Sequence, residues 1–266
     1  MPKILSVLIP TYNNNESLKK VLDSYIDDKR IEILVSDDSD NEDKKMLIKA
    51  MCNKANIIYF DGPKSSPAEN WNMLIKKSEA PFFVLNHHDD YPVNLDFLNE
   101  LDNDKLGLMI LPCSSKPIGK KIRIIESWQQ YLSTKVCSFF KNGSLNMVLA
   151  PTASVIINKR FKNILFDPKL KWFVDAEWYL KLFQTVKINK LMIRFYPFSR
   201  IFSIQLNTSL TISLSGILKE QIKNEKKYLY SKKLYPGNFI NFFQFSLLGI
   251  ILLKTKLKQI LSSLIF

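Results

Sequence analysis

Two short apolar runs, residues 4–9 and 31–35, each break off into polar residues. Pro10, Thr11, Tyr12 and Asn13 follow the first, and Ser36, Asp37, Asp38, Ser39 and Asp40 follow the second. Both runs are rich in β-branched residues and lack polar alternation, as parallel strands buried on both faces do. Between them Leu18, Val21, Leu22, Tyr25 and Ile26 recur at helical spacing, and residues 13–15 are asparagines that offer an N-cap. The unit is therefore βαβ, and its ligands belong in the crevice at the strand ends. There Tyr12 can stack on a base, and Asp37 and Asp38 can accept from a base N–H or ribose hydroxyls. Taken alone, the acids read equally well as turn residues after a strand.

The α/β alternation continues. Composition and flanking turns predict strands at 57–60, 82–86, 106–111 and 154–157, helices at 42–51, 67–77, 127–133 and 175–186, and loops at 61–63 and 112–119. The helix at 67 is the best signalled, with Ser66 as N-cap, Pro67 at N1 and Glu69 at N3, the pattern of a capping box. The chain has 266 residues, enough for one sizeable core and an appended segment. Only seven glycines occur, and none forms a dinucleotide-binding or P-loop motif. Any phosphate must be met another way, and a divalent metal is the obvious means. Cys52, Cys113 and Cys137 are far apart, which argues against a zinc site or a disulfide framework and for reduced thiols.

Two further clusters carry chemistry. The apolar run 82–85 leads through Asn86 into His87, His88, Asp89 and Asp90, and these are the only two histidines in the chain. Carboxylates suit Mg²⁺ or Mn²⁺, and an imidazole among them favours Mn²⁺. The plainer alternative makes the histidines loop residues and Asp90 a cap for a helix starting near Asn94. Farther on, Asp175 opens a helix carrying Trp178, Leu182 and Phe183. It either caps that helix or stands ready to take a proton.

The stretches SVLIPTYNNNESLKKVLDS and EILVSDDSD resemble glycosyltransferase family 2, the inverting nucleotide-sugar enzymes of the GT-A fold. The resemblance implies a Rossmann-like, mixed and mostly parallel sheet flanked by helices, with residues 1–215 as the catalytic domain. It implies donor contacts from Pro10, Tyr12, Asp37, Asp38 and Asn70, with a UDP-sugar as the default donor. It implies a divalent ion, Mn²⁺ or Mg²⁺, at Asp89 with His87 and Asp90, and Asp175 as catalytic base. Trp172 is a candidate platform for an acceptor sugar. The chain also departs from the family pattern. Ala68-Glu69-Asn70 stands where an arginine normally precedes the asparagine, with Lys64 a substitute. His87 replaces the first acid, Val174 a glutamate and Lys181 an arginine, and Arg200 lacks a following histidine. A catalytically silent nucleotide-sugar-binding scaffold, or a dinuclear metal phosphoesterase on His87, His88, Asp89 and Asp90, are the alternatives.

The formal net charge of +13 calls for an anionic partner. From residue 216 lysines dominate, and residues 238–253 hold a mostly apolar run interrupted by Asn241 and Gln244. That run is short for a spanning helix, so residues 216–266 are expected to form a helical tail lying in an anionic membrane surface. The alternative is a helix folded onto the catalytic domain or a second copy. The acceptor is accordingly expected to be a glycan, in the lipid-linked form, at the cytoplasmic face. Nucleic acid fits poorly, since the lysines lie beside apolar residues rather than among stacking aromatics. Met-Pro-Lys runs straight into a strand, without the layout of a signal peptide.

Overall fold

The computed structural model describes residues 1–101, 104–116, 123–124, 151–204 and 218–232. In chain order the elements are β1 (Leu5–Thr11), α1 (Asn15–Asp23), β2 (Ile31–Asp37), α2 (Glu42–Lys54), β3 (Ile58–Asp61), α3 (Pro67–Lys77), β4 (Phe82–Leu85) and β5 (Asp90–Pro92). They continue with β6 (Leu106–Ile110), β7 (Cys113–Lys116), β8 (Arg123–Ile124), β9 (Val155–Asn158), α4 (Val174–Ile188), β10 (Met192–Phe195), β11 (Ile201–Ile204) and α5 (Leu218–Ser231).

A seven-stranded sheet in the order β10-β6-β9-β4-β1-β2-β3 forms the frame. Its pairs are parallel except for β9, which runs antiparallel to β4 and β6. Every residue of β1 is buried, because helices cover both faces of the sheet. Leu5, Val7 and Ile9 point into a layer with Leu18, Val21 and Leu22 of α1 and Ile48 of α2. Leu8 points the other way, to Trp71, Leu74 and Ile75 of α3 and Trp178, Leu182 and Phe183 of α4. This two-sided burial is why β1 reads as a continuous apolar run.

The helix starts follow local chemistry. Asn14 Oδ1 accepts from the Ser17 N–H at 3.0 Å, and Ser66 Oγ accepts from the Glu69 N–H at 3.2 Å. Glu69 does not close the reciprocal half of a capping box, because its carboxylate takes the Ser65 hydroxyl instead.

Several expectations need correction. Residues 112–119 were expected as a loop, yet Cys113–Lys116 is a strand of a second, four-stranded sheet ordered β5-β11-β7-β8. Residues 152–154 form a 3-10 turn, so the strand begins at Val155. The helix near Asn94 is only a 3-10 turn, Asp96–Glu100, with no side-chain cap. Asp90 is not its cap. It lies in β5, paired antiparallel with Ser203 of β11. The helix expected at 127–133 and the apolar run at 238–253 lie outside the described residues.

Candidate active site

The strands β1, β2 and β4 end side by side. Thr11 is in register with Asp37, the Asp38 N–H donates to the Thr11 carbonyl at 3.1 Å, and the Asn86 N–H donates to the Leu8 carbonyl at 2.8 Å. The polar residues that follow each strand therefore share one edge of the sheet.

The two acids after β2 have different surroundings. Asp37 is fully buried and occupied by the protein. Its Oδ1 accepts from the Ser39 N–H at 2.9 Å and from the Ser39 hydroxyl, and its Oδ2 accepts from the Tyr59 hydroxyl at 3.3 Å. Asp38 Oδ1 accepts from the Lys64 N–H at 2.8 Å, and the Asn70 side chain donates to the same carboxylate. Burial raises the Asp38 pKa against these bonds. Gly62 permits the arrangement, since a Cβ there would lie 2.1 Å from Asp38 Oδ1. Asn70 is itself buried, and its Oδ1 has no partner. Tyr12 is half exposed, held only at its hydroxyl, which donates to Asp40 at 2.9 Å.

The turn after β4 is organised from inside by Asn86. Its side chain accepts from the Tyr25 hydroxyl at 2.8 Å and donates to the carbonyls of His87 and Asp90 at 2.9 and 2.6 Å. Nothing in the sequence marked Asn86 beyond its place at the end of the strand. His88 donates to the Pro10 carbonyl, and the His87 ring meets Trp71 edge-on at 5.2 Å. Burial lowers the pKa of both histidines. Asp90 is buried, and its pKa is raised first by burial and then by Asp89. A bond with Ser203 offsets this in part, and the charge of Asp175 raises it further. Asp90 Oδ1 has no hydrogen-bond partner.

Asp175 is thus close enough for its charge to be felt at Asp90. Asp175 is the second residue of α4, whose N-cap is Phe173 and which has no side-chain cap. Asp175 therefore does not serve as the cap. Its Oδ1 is shut off from solvent without a partner, and burial pushes its pKa up to about 6. Trp172 is partly buried against the core just ahead of it. Lys181, at the position where the family pattern has arginine, forms an ion pair with Glu177 at 2.9 Å and donates to the Leu165 carbonyl at 2.6 Å. Arg200 donates to the Ser114 hydroxyl at 2.9 Å.

Helix α3 joins these groups through consecutive residues. Asn70 reaches Asp38, Trp71 meets His87, and Asn72 exchanges two hydrogen bonds with the backbone of Phe166, at 2.8 and 2.9 Å. Phe166 in turn packs on Trp71 (4.9 Å, edge-on) and stacks on Trp178 of α4 (4.1 Å). A continuous set of contacts thus runs from the Asp38 carboxylate to the helix that carries Asp175.

Among the described residues no three His, Cys, Asp or Glu side chains are grouped as a metal ion requires. His87, Asp89 and Asp90 are neighbours in sequence without forming a three-ligand cluster. Asp89 remains compatible with a divalent ion held jointly with phosphate. Mg²⁺ at nucleotide sites takes one or two carboxylates and draws its other ligands from phosphates and water.

Residues 6–103 match the sequence model of glycosyl transferase family 2. The match covers about the first third of the chain and stops there. Solved structures extend the likeness beyond it. One is S. aureus TarS 1-349 in complex with UDP-GlcNAc, 18% identical with a TM-score of 0.54 over 78% of this chain and 60% of that one. Another is the mannosyltransferase PcManGT from Pyrobaculum calidifontis in complex with GDP-Man and Mn²⁺, 14% identical with a TM-score of 0.52 over 77% and 57%. The architecture is the GT-A fold, and the chain spans less than two thirds of either structure's length. No curated protein matches the chain. The family 2 match ends before Asp175, so that residue and its helix fall outside it.

Proposed function

We propose that the protein moves a sugar from a nucleoside-diphosphate sugar to a hydroxyl of a glycan acceptor, with inversion at the anomeric carbon. The observation that carries this reading is the carboxylate of Asp175, whose Oδ1 is buried and unpartnered, whose pKa burial raises to about 6, and whose charge is felt at Asp90. At neutral pH such a group is ionised yet basic enough to accept a proton, as a general base should be.

In this reading Tyr12 stacks on the base, while Asp38 and Asn70 Oδ1 accept from base N–H or ribose hydroxyls. Asp37 supports them by holding Ser39 and Tyr59 rather than by touching the donor. The acceptor hydroxyl, laid against Trp172, gives its proton to Asp175 as its oxygen attacks the anomeric carbon. The bond from that carbon to the diphosphate breaks in the same step. One displacement without a covalent intermediate inverts the configuration. A divalent ion at Asp89 would neutralise the charge on the departing diphosphate. The nucleotide sugars bound by TarS and PcManGT support the donor class, and the Mn²⁺ in the latter supports the ion. The lysine-rich end of the chain supports a lipid-linked acceptor at an anionic membrane surface on the cytoplasmic side. Among the described residues no helix is long and apolar enough to cross a membrane.

The reading is tested by thermal denaturation with UDP, GDP, dTDP and CMP, with and without Mn²⁺. A cognate nucleotide at about a hundred times its Kd should add roughly 2.7 kcal/mol of apparent stability. Indifference to the whole panel would sink the donor site. A cognate shift without any donor turnover would favour the silent scaffold.

A further inference from the structure

We propose that Glu225, on α5, is a positioning residue for Asp175, an inference that rests on reading Asp175 as the base. Helix α4 begins without a side chain of its own to satisfy its first backbone donors. Glu225 instead holds the backbone that leads into the helix, from more than fifty residues away, accepting from the N-cap residue Phe173 and the two residues before it. Its carboxylate is buried, with Oε1 at 2.8 Å from the Lys171 nitrogen and 3.1 Å from that of Trp172. Its Oε2 lies 3.0 Å from the Trp172 nitrogen and 2.9 Å from that of Phe173. Gln221, one turn earlier on α5, donates to Oε1 and steadies the carboxylate.

The same stripe of α5 continues the grip. The Tyr228 hydroxyl donates to Asp167 Oδ2 at 2.8 Å, Lys232 pairs with the same oxygen, and Leu229 is buried in the core between them. Helix α5 thus holds both ends of the segment 167–173, and Asp175 follows two residues later. The Asp175 Oδ1 has no hydrogen bond to fix it. Its aim is inherited from the backbone that Glu225 holds, and so is that of Trp172, whose own N–H is one of the bonded donors. A negative charge here also suits the positive end of the helix dipole.

The full chain carrying Glu225→Gln tests this, since the amide turns an N–H toward backbone donors. Glu225→Asp keeps the charge on a shorter arm and serves if the first variant fails to fold. Tyr228→Phe loosens Asp167 and leaves Glu225 in place. Amide hydrogen exchange across 168–178 is read first, because it needs no activity, and kcat and donor KM are read second. Glu225→Gln should exchange about tenfold faster across 168–178, with residues 31–37 unchanged. Its kcat should fall about ten- to a hundredfold at constant donor KM. Glu225→Asp should fall between it and the parent, and Tyr228→Phe, which frees only the far end of the segment, should show a smaller effect than either. Unchanged exchange at 168–178 overturns the proposal. So does faster exchange with an unaltered kcat. Faster exchange in a protein whose parent form transfers no sugar upholds the grip of Glu225 and overturns the reading of Asp175 as the base.

Discussion

Asp175 works against the stability of its own fold. Its pKa of about 6 lies above the ordinary 3.8, so the native state holds this proton more tightly than the unfolded chain does. The native state therefore loses stability as pH rises from 3.8 to about 6, and the loss persists above that. Asp175→Asn should accordingly melt higher at pH 7, by an amount on the order of 1–3 kcal/mol. The same change should cut turnover by about 10² to 10⁴. In the parent protein kcat/KM should fall on the acid side of about pH 6, which a pH–rate profile checks. A helix cap misread as a base would behave oppositely, losing stability on substitution. Asn70 gives a second case. Replacing it with Ala removes the donor to Asp38 and the buried unpartnered Oδ1. Nucleotide Kd should rise about tenfold by calorimetry, the effect of losing roughly 1.4 kcal/mol of bonding to a charged group. At this scale the sequence pointed to Asp38, Asn70 and Asp175 by type and position. It could not separate Asp37 from Asp38, because that difference lies in Ser39, Tyr59 and Gly62. It passed over Asn86, whose partners are the Tyr25 hydroxyl and the backbone of its own turn, and Glu225, whose partners are backbone groups more than fifty residues away.

At the scale of elements, the first βαβ unit was legible because each signal is local. Residues 31–35 are apolar apart from Glu32, residues 13–15 include the cap, and α3 spans Pro67–Lys77 as its flanking residues predict. The short strands β5, β10 and β11 were not legible. β5 is three residues ending in proline, and it exists because Asp90 pairs with Ser203 across more than a hundred residues. The β10 residues are half-exposed at the sheet edge and show no alternation to read. The turn after β3 is where an element and the site depend on each other most closely. A Cβ at Gly62 would meet Asp38 Oδ1 at 2.1 Å and the Asp37 carbonyl carbon at 3.1 Å. Gly62→Ala should cost about 1–3 kcal/mol in chemical denaturation and weaken nucleotide binding together. A loss of stability with unaltered binding would show that Asp38 does not contact the donor.

For the whole molecule, the sheet brings the Asp38 and Asp89 segments to neighbouring strand ends, and α4, packed on one face of the sheet, carries Asp175. Helix α5 then ties the C-terminal part to the segment ahead of Asp175. The net charge of +13 sits on this frame with its lysines concentrated near the end of the chain. The full chain should co-sediment with anionic vesicles at low salt and be released as ionic strength shortens the Debye length to about 8 Å and below. Binding to neutral vesicles that ignores salt would contradict that picture. The central claim is that a nucleoside diphosphate held near Asp38 meets a base at Asp175. The most direct measurement is cleavage of the nucleotide sugar selected by thermal shift, by the parent and by Asp175→Asn, with nucleotide affinity followed in both. The account predicts equal affinity and near-abolished turnover in the variant. Equal turnover in the two proteins would contradict it.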